Sequence, residues 1–563
     1  IKITKDITLV KEFSFAYPIY ICEGVTVSAA STKQNEPFNL ALYADTAVLV
    51  NYGTCAAGVW TDSGASFLNF GRFEGGTDND VGNSSVWLSE NSHSIILNEG
   101  YMLHQDCSRL WENNHLLNTP TGTLEAENFF LLNASLSNYG AISLTGKQDS
   151  LNLNTGSQLN NFGTLTITEN SEMRNNGLLY NKGSLLAESG SKLWNGYLVK
   201  NDFGTIRAES GAQLWGSPGF LDEPTSSGYV STGGTVELLC SDAPPVYFIS
   251  DKQQMDEIAA SASVAKTPEQ LESLLNDGSV EAIIIADDLT YTGECKVSKN
   301  LYITGNLTVT DGGLVAVGNK VILADGGSLT ADNISLLDGA VMQLNDSTLT
   351  VPEGGLLDLD SSMIQGSGNS RLLAAGSDIQ LRNQSLIIPE SDCSGEFFSM
   401  DNSHLNIEGQ SAMVMPTGSS MTVLSGVVMD LENARFSGGN NLMLRNCTVN
   451  IGQGGIFTEY GRDLCLENST VYIAKEAVMQ SELCNILLRD TTITNDGFFF
   501  ISGWNEIQFS QQDSVIYNNG NAEICLPNDL TGESMIYNKG VLHTNPEHPI
   551  NSERIDGNAQ KTS

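Results

Sequence analysis

NLMLRNCTVNI from Asn441, DLCLENSTVYI from Asp463 and NILLRDTTITN from Asn485 are one eleven-residue phrase written three times at a step of twenty-two residues. A weaker copy, EIQFS from Glu506, follows after twenty-one. Each copy reads as two short strands with apolar residues on alternate positions, Leu442 and Leu444 and then Val449 and Ile451. They join at an Asn or Asp followed by a small hydroxyl or thiol residue. A fixed period of this size, built from strands with no helix between, marks a solenoid whose repeats bury their apolar faces only by stacking.

Residues one period apart then lie over one another at the inter-strand spacing of about 4.8 Å. Leu444, Leu466 and Leu488 are predicted to form one interior file, and Asn446, Asn468 and Asp490 a ladder at the turn. Arg445, Glu467 and Arg489 fall in an outward column of alternating charge, so the three are expected to be neighbours.

The length of 563 residues exceeds what one core fills, and a solenoid uses it without many separate domains. Sixty-six acidic against twenty-seven basic residues give a net charge of −39, which argues against nucleic acid or an anionic membrane surface as partner. No apolar run is long enough to span a bilayer, so no membrane insertion is expected. A first residue of Ile rather than Met is expected of a processed or excised chain. Ten cysteines without CxxC spacing indicate neither a zinc site nor a dense disulfide framework, and most are expected to be free and buried.

From Ile1 to about Ala30 alternating residues read as opening coils, with either further sequence upstream or an irregular cap over the apolar end. A second form of the repeat follows, apolar-x-Asn-x-Gly-x-apolar. It occurs at VNYGTC (Asn51), LNFGRF (Asn69), LNEGYM (Asn98), SNYGAI (Asn138), NNFGTL (Asn161) and YNKGSL (Asn181), and at NDFGTI with Asp202 in the Asn place. Its Gly is expected to supply the positive φ of a tight turn. NKGSLLAESGSKLW against DFGTIRAESGAQLW puts Trp194 and Trp215 in one column, either a platform for a sugar face or a packing stack. The step from Asn69 to Asn98 is twenty-nine residues, so extra residues loop out, most readily within Phe73–Ser85. There Glu74, Asp78 and Asp80 with Gly82 offer oxygen ligands loosely like those of a calcium loop, calcium being the one cofactor considered. The plain alternative is a solvated acidic loop.

Composition changes between Cys240 and Gly278. TPEQLESLLNDG reads as a short helix with Thr267 as N-cap, Pro268 at the first helical position, an apolar face of Leu271, Leu274 and Leu275, and Gly278 as stop. A helix across a first coil covers an exposed solenoid end, so a new array is expected after it. The resulting division is an array over 1–245, a linker and helical cap over 246–278, a second array over 279–545 and a disordered tail over 546–563. Gly turns recur at Asp311, Asp325, Asp338 and Glu353, and Asp332, Asp346 and Asp360 are fourteen apart, a spacing that fits either a part-coil or a shorter coil.

With a register near twenty-one residues, Asx ladders at the turns and a helix before a full coil, the chain resembles the right-handed parallel β-helix proteins, namely the pectin-lyase-like superfamily and the repeat-rich surface proteins and adhesins of bacteria. The resemblance covers nearly the whole chain and is architectural; it implies an all-β solenoid of two arrays and an extracellular habit. Enzymes of that superfamily cleave acidic polysaccharides by calcium-assisted β-elimination with an Arg or Lys base, or with paired carboxylates. The NTD, HG and RIK signatures of the polygalacturonase-like members are absent here, and only the DD pair at Asp287–Asp288 is present. Asp358 and Asp360 lie on one strand face, where a partner from a neighbouring coil is needed to make an acid/base set.

The expected role is therefore a non-catalytic extracellular stalk or adhesive module of a larger bacterial surface protein, whose reach is its function and whose partners are carbohydrate or a host surface protein. The rival is a polysaccharide lyase or glycoside hydrolase using Asp287, Asp288, Asp358 and Asp360. Three or more carboxylates converging in a cleft with an Arg or a cation would favour the rival.

Overall fold

The computed structural model describes residues 1–563 apart from 11, 30–38, 63, 75–85, 89–92, 105–107, 112, 147–149, 155, 196–197, 215–228, 241–243, 245, 391–392, 394–396, 416–420, 440, 461–462, 483–484, 503–506, 510–513, 526–534, 545–549, 551–552, 554 and 558–563. Its contacts divide the chain into two compact units, the first closing at Val246 and the second opening at Tyr247. Each is a parallel β-helix. Successive strands fall in turn on three faces, and each strand pairs in parallel with the strand one coil away.

In the first unit the faces are represented by Ser135–Asn138, Ala141–Leu144 and Leu151–Leu153. Most strands have only two to five residues, and buried positions alternate with half-exposed ones, as a sheet with one face on a core requires. The inward residues, Leu136, Ile142 and Leu151 among them, form one continuous core.

The end of the first face carries a buried amide ladder. Asn51, Asn69, Asn98, Asn118, Asn138, Asn161, Asn181 and Asn201 are each 0 % exposed. In each of the first seven, Nδ2 donates to Oδ1 of the next at 2.7–2.8 Å. Each of those Nδ2 groups also donates to a backbone carbonyl of the following coil, for example Asn138 to Thr164 at 2.9 Å. A buried amide left unpaired costs free energy, and here the coil above and the coil below satisfy it.

The ladder corrects three sequence expectations. Asn118, in NTPTG, belongs to it although its Gly lies four residues on. In NDFG the ladder residue is Asn201, paired with Asn181, while Asp202 turns outward to accept from Tyr180 Oη and pair with Lys182 at 3.0 Å. The motif glycines are not at positive φ: Gly53, Gly71, Gly100, Gly140, Gly163 and Gly183 all keep ordinary backbone geometry. They are required because a Cβ on Gly71 would sit 2.2 Å from the Gly53 carbonyl oxygen, and one on Gly163 would sit 2.1 Å from that of Gly140. The glycines stack backbone on backbone beside the ladder.

In the second unit the quoted phrases keep the register their spacing predicts. Leu444, Leu466 and Leu488 pair in order and are 1 %, 0 % and 0 % exposed. Asn446, Asn468 and Asp490 are all left-handed at φ 53°, 48° and 49°, and Asn468 Nδ2 donates to Asn446 Oδ1 at 2.6 Å. Glu467 accepts from Arg445 Nε at 2.9 Å and Arg489 Nη1 at 3.1 Å, which holds its carboxyl below the usual range. The residue after each turn Asx forms a buried column in which the Cys447 amide donates to Ser469 Oγ at 3.1 Å and the Thr491 amide to Ser514 Oγ at 3.1 Å. The fourteen-residue spacing also resolves. Asp332, Asp346 and Asp360 stand at three different corners, so each step advances two of the three sides of a twenty-odd-residue coil.

Helix α2 (Pro268–Asn276) is capped by Thr267 as predicted and buries Leu271 and Leu275 against Ile283, Leu289 and Cys295 of the first coil. A helix not anticipated, α1 (Lys252–Ser261), precedes it, with an Asp251/Gln254 capping box and Met255 packed on Tyr302 and Leu323. At the other end Ile555–Gly557, assigned to a disordered tail by composition, pairs with Met535–Asn538 as a further rung, and Ile555 packs against the core. Cys22, Cys55, Cys295, Cys447 and Cys465 are free thiols.

Candidate functional site

The four acidic residues of the enzymatic alternative do not come together. Asp287 and Asp288 are exposed at the turn between Ala282–Ile285 and Leu289–Thr292 in the first coil of the second unit, where Asp288 Oδ1 accepts from Asn306 Nδ2 at 2.6 Å. Asp358 and Asp360 lie three coils further on and on another face, in Leu356–Asp360. Three coils are about 14 Å, beyond the separation at which two carboxylates share a glycosidic bond. Asp358 is also engaged, taking Arg382 Nη2 on both oxygens at 2.7 Å, and Asp360 accepts from Asn383 Nδ2 at 2.8 Å. The carboxylate in turn raises the pKa of the Arg382 guanidinium.

Of the calcium-loop set, Glu74 is ion-paired with Arg72, while Asp78 and Asp80 lie outside the described residues. Among the described residues no group of three His, Cys, Asp or Glu could hold a metal ion. Arg72–Phe73 and Val86–Leu88 are consecutive strands in register with the coils on either side, and residues 75–85, where the spacing placed the extra residues, lie outside the described residues. Trp194 is half-exposed with Lys192 Nζ 5.5 Å from its ring centroid; Trp215 lies outside the described residues, though the coil-to-coil register reaches Lys192 against Gln213.

A different set of aromatic residues stands out, at the corner that follows the amide ladder. The position after the ladder Asn holds Tyr52, Phe70, Glu99, Thr119, Tyr139, Phe162 and Lys182 in successive coils. Tyr52 and Phe70 stack with centroids 5.0 Å apart at 12°, and Tyr139 and Phe162 at 4.7 Å and 12°. Tyr52 is 50 % exposed, Tyr139 47 % and Phe162 37 %. One coil on, Phe203 is 57 % exposed and its ring lies over Gly233.

Hydrogen-bonding groups flank the first pair. Two residues beyond Phe70, Arg72 is ion-paired with Glu74 and places its guanidinium 4.2 Å from the centroid of Tyr101. Tyr101 Oη donates to Glu125 at 2.9 Å, and burial together with this bond pushes its pKa up to about 12. Planar rings beside fixed donors and acceptors suit a ligand that has both apolar faces and hydroxyls. The signal was in the motif, because the residue between Asn and Gly is aromatic at Asn51, Asn69, Asn138 and Asn161.

No protein-family model matches the chain, and no curated protein matches it. What the geometry defines is a fold class, an all-β parallel β-solenoid with two short α-helices among the described residues. No helix among the described residues is long and apolar enough to cross a membrane.

Proposed function

We propose that this chain is a non-catalytic β-helical module, a stalk or adhesive segment of a larger bacterial surface protein, displayed outside the cell and allied to the right-handed pectin-lyase-like solenoids. The observation that carries the reading is the dispersal of Asp287, Asp288, Asp358 and Asp360, each of the last three held in a hydrogen bond or ion pair to a neighbouring coil. Carboxylates spent on rung-to-rung bonds are not poised for acid/base work. The rest of the design favours reach: sheets of 12 and 14 strands extend about 50 Å and about 60 Å along their units at the inter-strand spacing.

The test is to incubate the purified chain with polygalacturonate, pectin and neutral polysaccharides, with and without calcium, and follow reducing ends and the ultraviolet absorbance of unsaturated products. No turnover is expected. Turnover lost in Asp358→Asn or Asp288→Asn would replace this reading with the enzymatic one.

A further inference from the structure

Nothing in the coil requires an aromatic residue after the ladder Asn, since Glu99, Thr119 and Lys182 occupy the same position with the Asn and Gly stacks unbroken beside them. Tyr52, Tyr139 and Phe162 at that position, and Phe203 two residues after Asn201, nonetheless leave ring surface in water, which is unfavourable unless something covers it, while Phe70 is half-buried. Stacking within a pair covers one face of each ring, Tyr180 meets Phe162 edge-on at 6.4 Å, and Tyr52 and Tyr139 still remain about half exposed. Two such pairs lie on one line along the coil axis, with Glu99 and the hydroxyls of Thr119 and Thr121 between them.

We propose that this corner of the first unit is a binding edge for an extended, uncharged polysaccharide lying parallel to the coil axis, its sugar rings covering the two aromatic pairs. The proposal rests on the adhesive reading and names its ligand class and site. Pyranose rings have an apolar C–H face that fits an aromatic ring, and hydroxyls that match Arg72, Glu74, Tyr101 and Glu125 beside the first pair. Charge decides against an acidic glycan: the chain carries −39, and the corner adds Glu74, Glu99 and Glu125 against Arg72 and Lys182. Length follows from the spacing. The pair centres are four coils apart, roughly 19 Å, so one sugar covers one pair and only an oligosaccharide of several units engages both. Engagement of the second pair is then intramolecular, and affinity climbs with chain length far beyond the number of added contacts.

The test is calorimetric titration of the intact chain with cellohexaose, xylohexaose and mannohexaose, with the corresponding disaccharides, and with polygalacturonate. The expected result is that one hexasaccharide binds and its disaccharide binds weakly. Tyr52→Ala and Tyr139→Ala should each weaken the hexasaccharide by about tenfold, as loss of a central aromatic contact does. The double variant should not bind, while Tyr52→Phe with Tyr139→Phe, which keeps the rings, should bind as the parent does and exclude a folding artefact. Failure of all three hexasaccharides to bind, preference for polygalacturonate, or binding that survives the double alanine variant would each overturn the proposal. The last would leave the adhesive reading standing with its site elsewhere, whereas cleavage of any probe would sink that reading itself.

Discussion

Gly163→Ala separates two explanations of the Asn-x-Gly motif. If the glycine were present for a left-handed turn, alanine would cost about 1–2 kcal/mol. The structure gives another reason: the new Cβ would lie 2.1 Å from the Gly140 carbonyl oxygen and 2.7 Å from the Tyr139 carbonyl carbon. Relief demands that the two coils part by roughly 1 Å or more. That motion stretches three backbone bonds, Phe162 N to Asn138 O at 2.7 Å, Gly163 N to Asn138 O at 3.0 Å and Thr164 N to Gly140 O at 2.8 Å. It also stretches the Asn138 bonds to Asn161 and Thr164. At about 1 kcal/mol net for each hydrogen bond, weakening most of the five costs about 3–5 kcal/mol. Gly24→Ala is the control, since Gly24 does sit at φ 72° and a Cβ there meets nothing within 4 Å; its cost should be the about 1–2 kcal/mol of the backbone alone. Urea unfolding followed by far-ultraviolet circular dichroism measures both. A Gly163→Ala chain no less stable than Gly24→Ala would refute the steric account.

Asn138→Ala removes two donated bonds and the one accepted from Asn118, and should destabilise by about 3 kcal/mol in the same assay. Leu466→Ala empties a fully buried site in the interior file and should cost about 2–5 kcal/mol; a surface-like effect would mean that the file is not continuous. His104 is buried against Phe129 at 4.4 Å, and burial pulls its pKa down to about 3. Between that value and the ordinary about 6.5 the unfolded chain binds the extra proton, so stability falls on acidification below about pH 6.5, by about 2 kcal/mol at about pH 5. His104→Phe should flatten that part of the pH profile. Glu467, its carboxyl pKa lowered by Arg445 and then Arg489, contributes above the ordinary glutamate range and loses that contribution as pH falls through its lowered folded value. Glu467→Gln should show a smaller loss of melting temperature in that acid window, and an unchanged loss would remove the column from the stability account.

The coil itself was legible in the sequence, because period and alternation are set by which residues recur at a fixed step, and three copies of an eleven-residue phrase fix that step without any knowledge of contacts. Leu444, Leu466 and Leu488, the Arg445–Glu467–Arg489 column and the Thr267 cap were all legible for this reason. Helix α1 was not, since its weakly amphipathic KQQMDEIAAS is helical by virtue of its cap and of Met255 packing on Tyr302 and Leu323.

What the sequence by itself determined was the stacking of a chain of short strands with apolar residues inward, since that follows from local pattern and the need of each repeat to cover the next. The tertiary structure alone decided which atoms meet once the coils are about 4.8 Å apart. It put Asn201 rather than Asp202 into the ladder and made the corner glycines a matter of backbone clearance. It paired Asp358 with Arg382 instead of with a second catalytic acid, and it turned the residues after Asn51, Asn69, Asn138 and Asn161 into two stacked pairs of rings. Spacing along a chain fixes the order of the rungs. The contacts between rungs depend on side-chain direction and corner geometry, which exist only after the coil has closed.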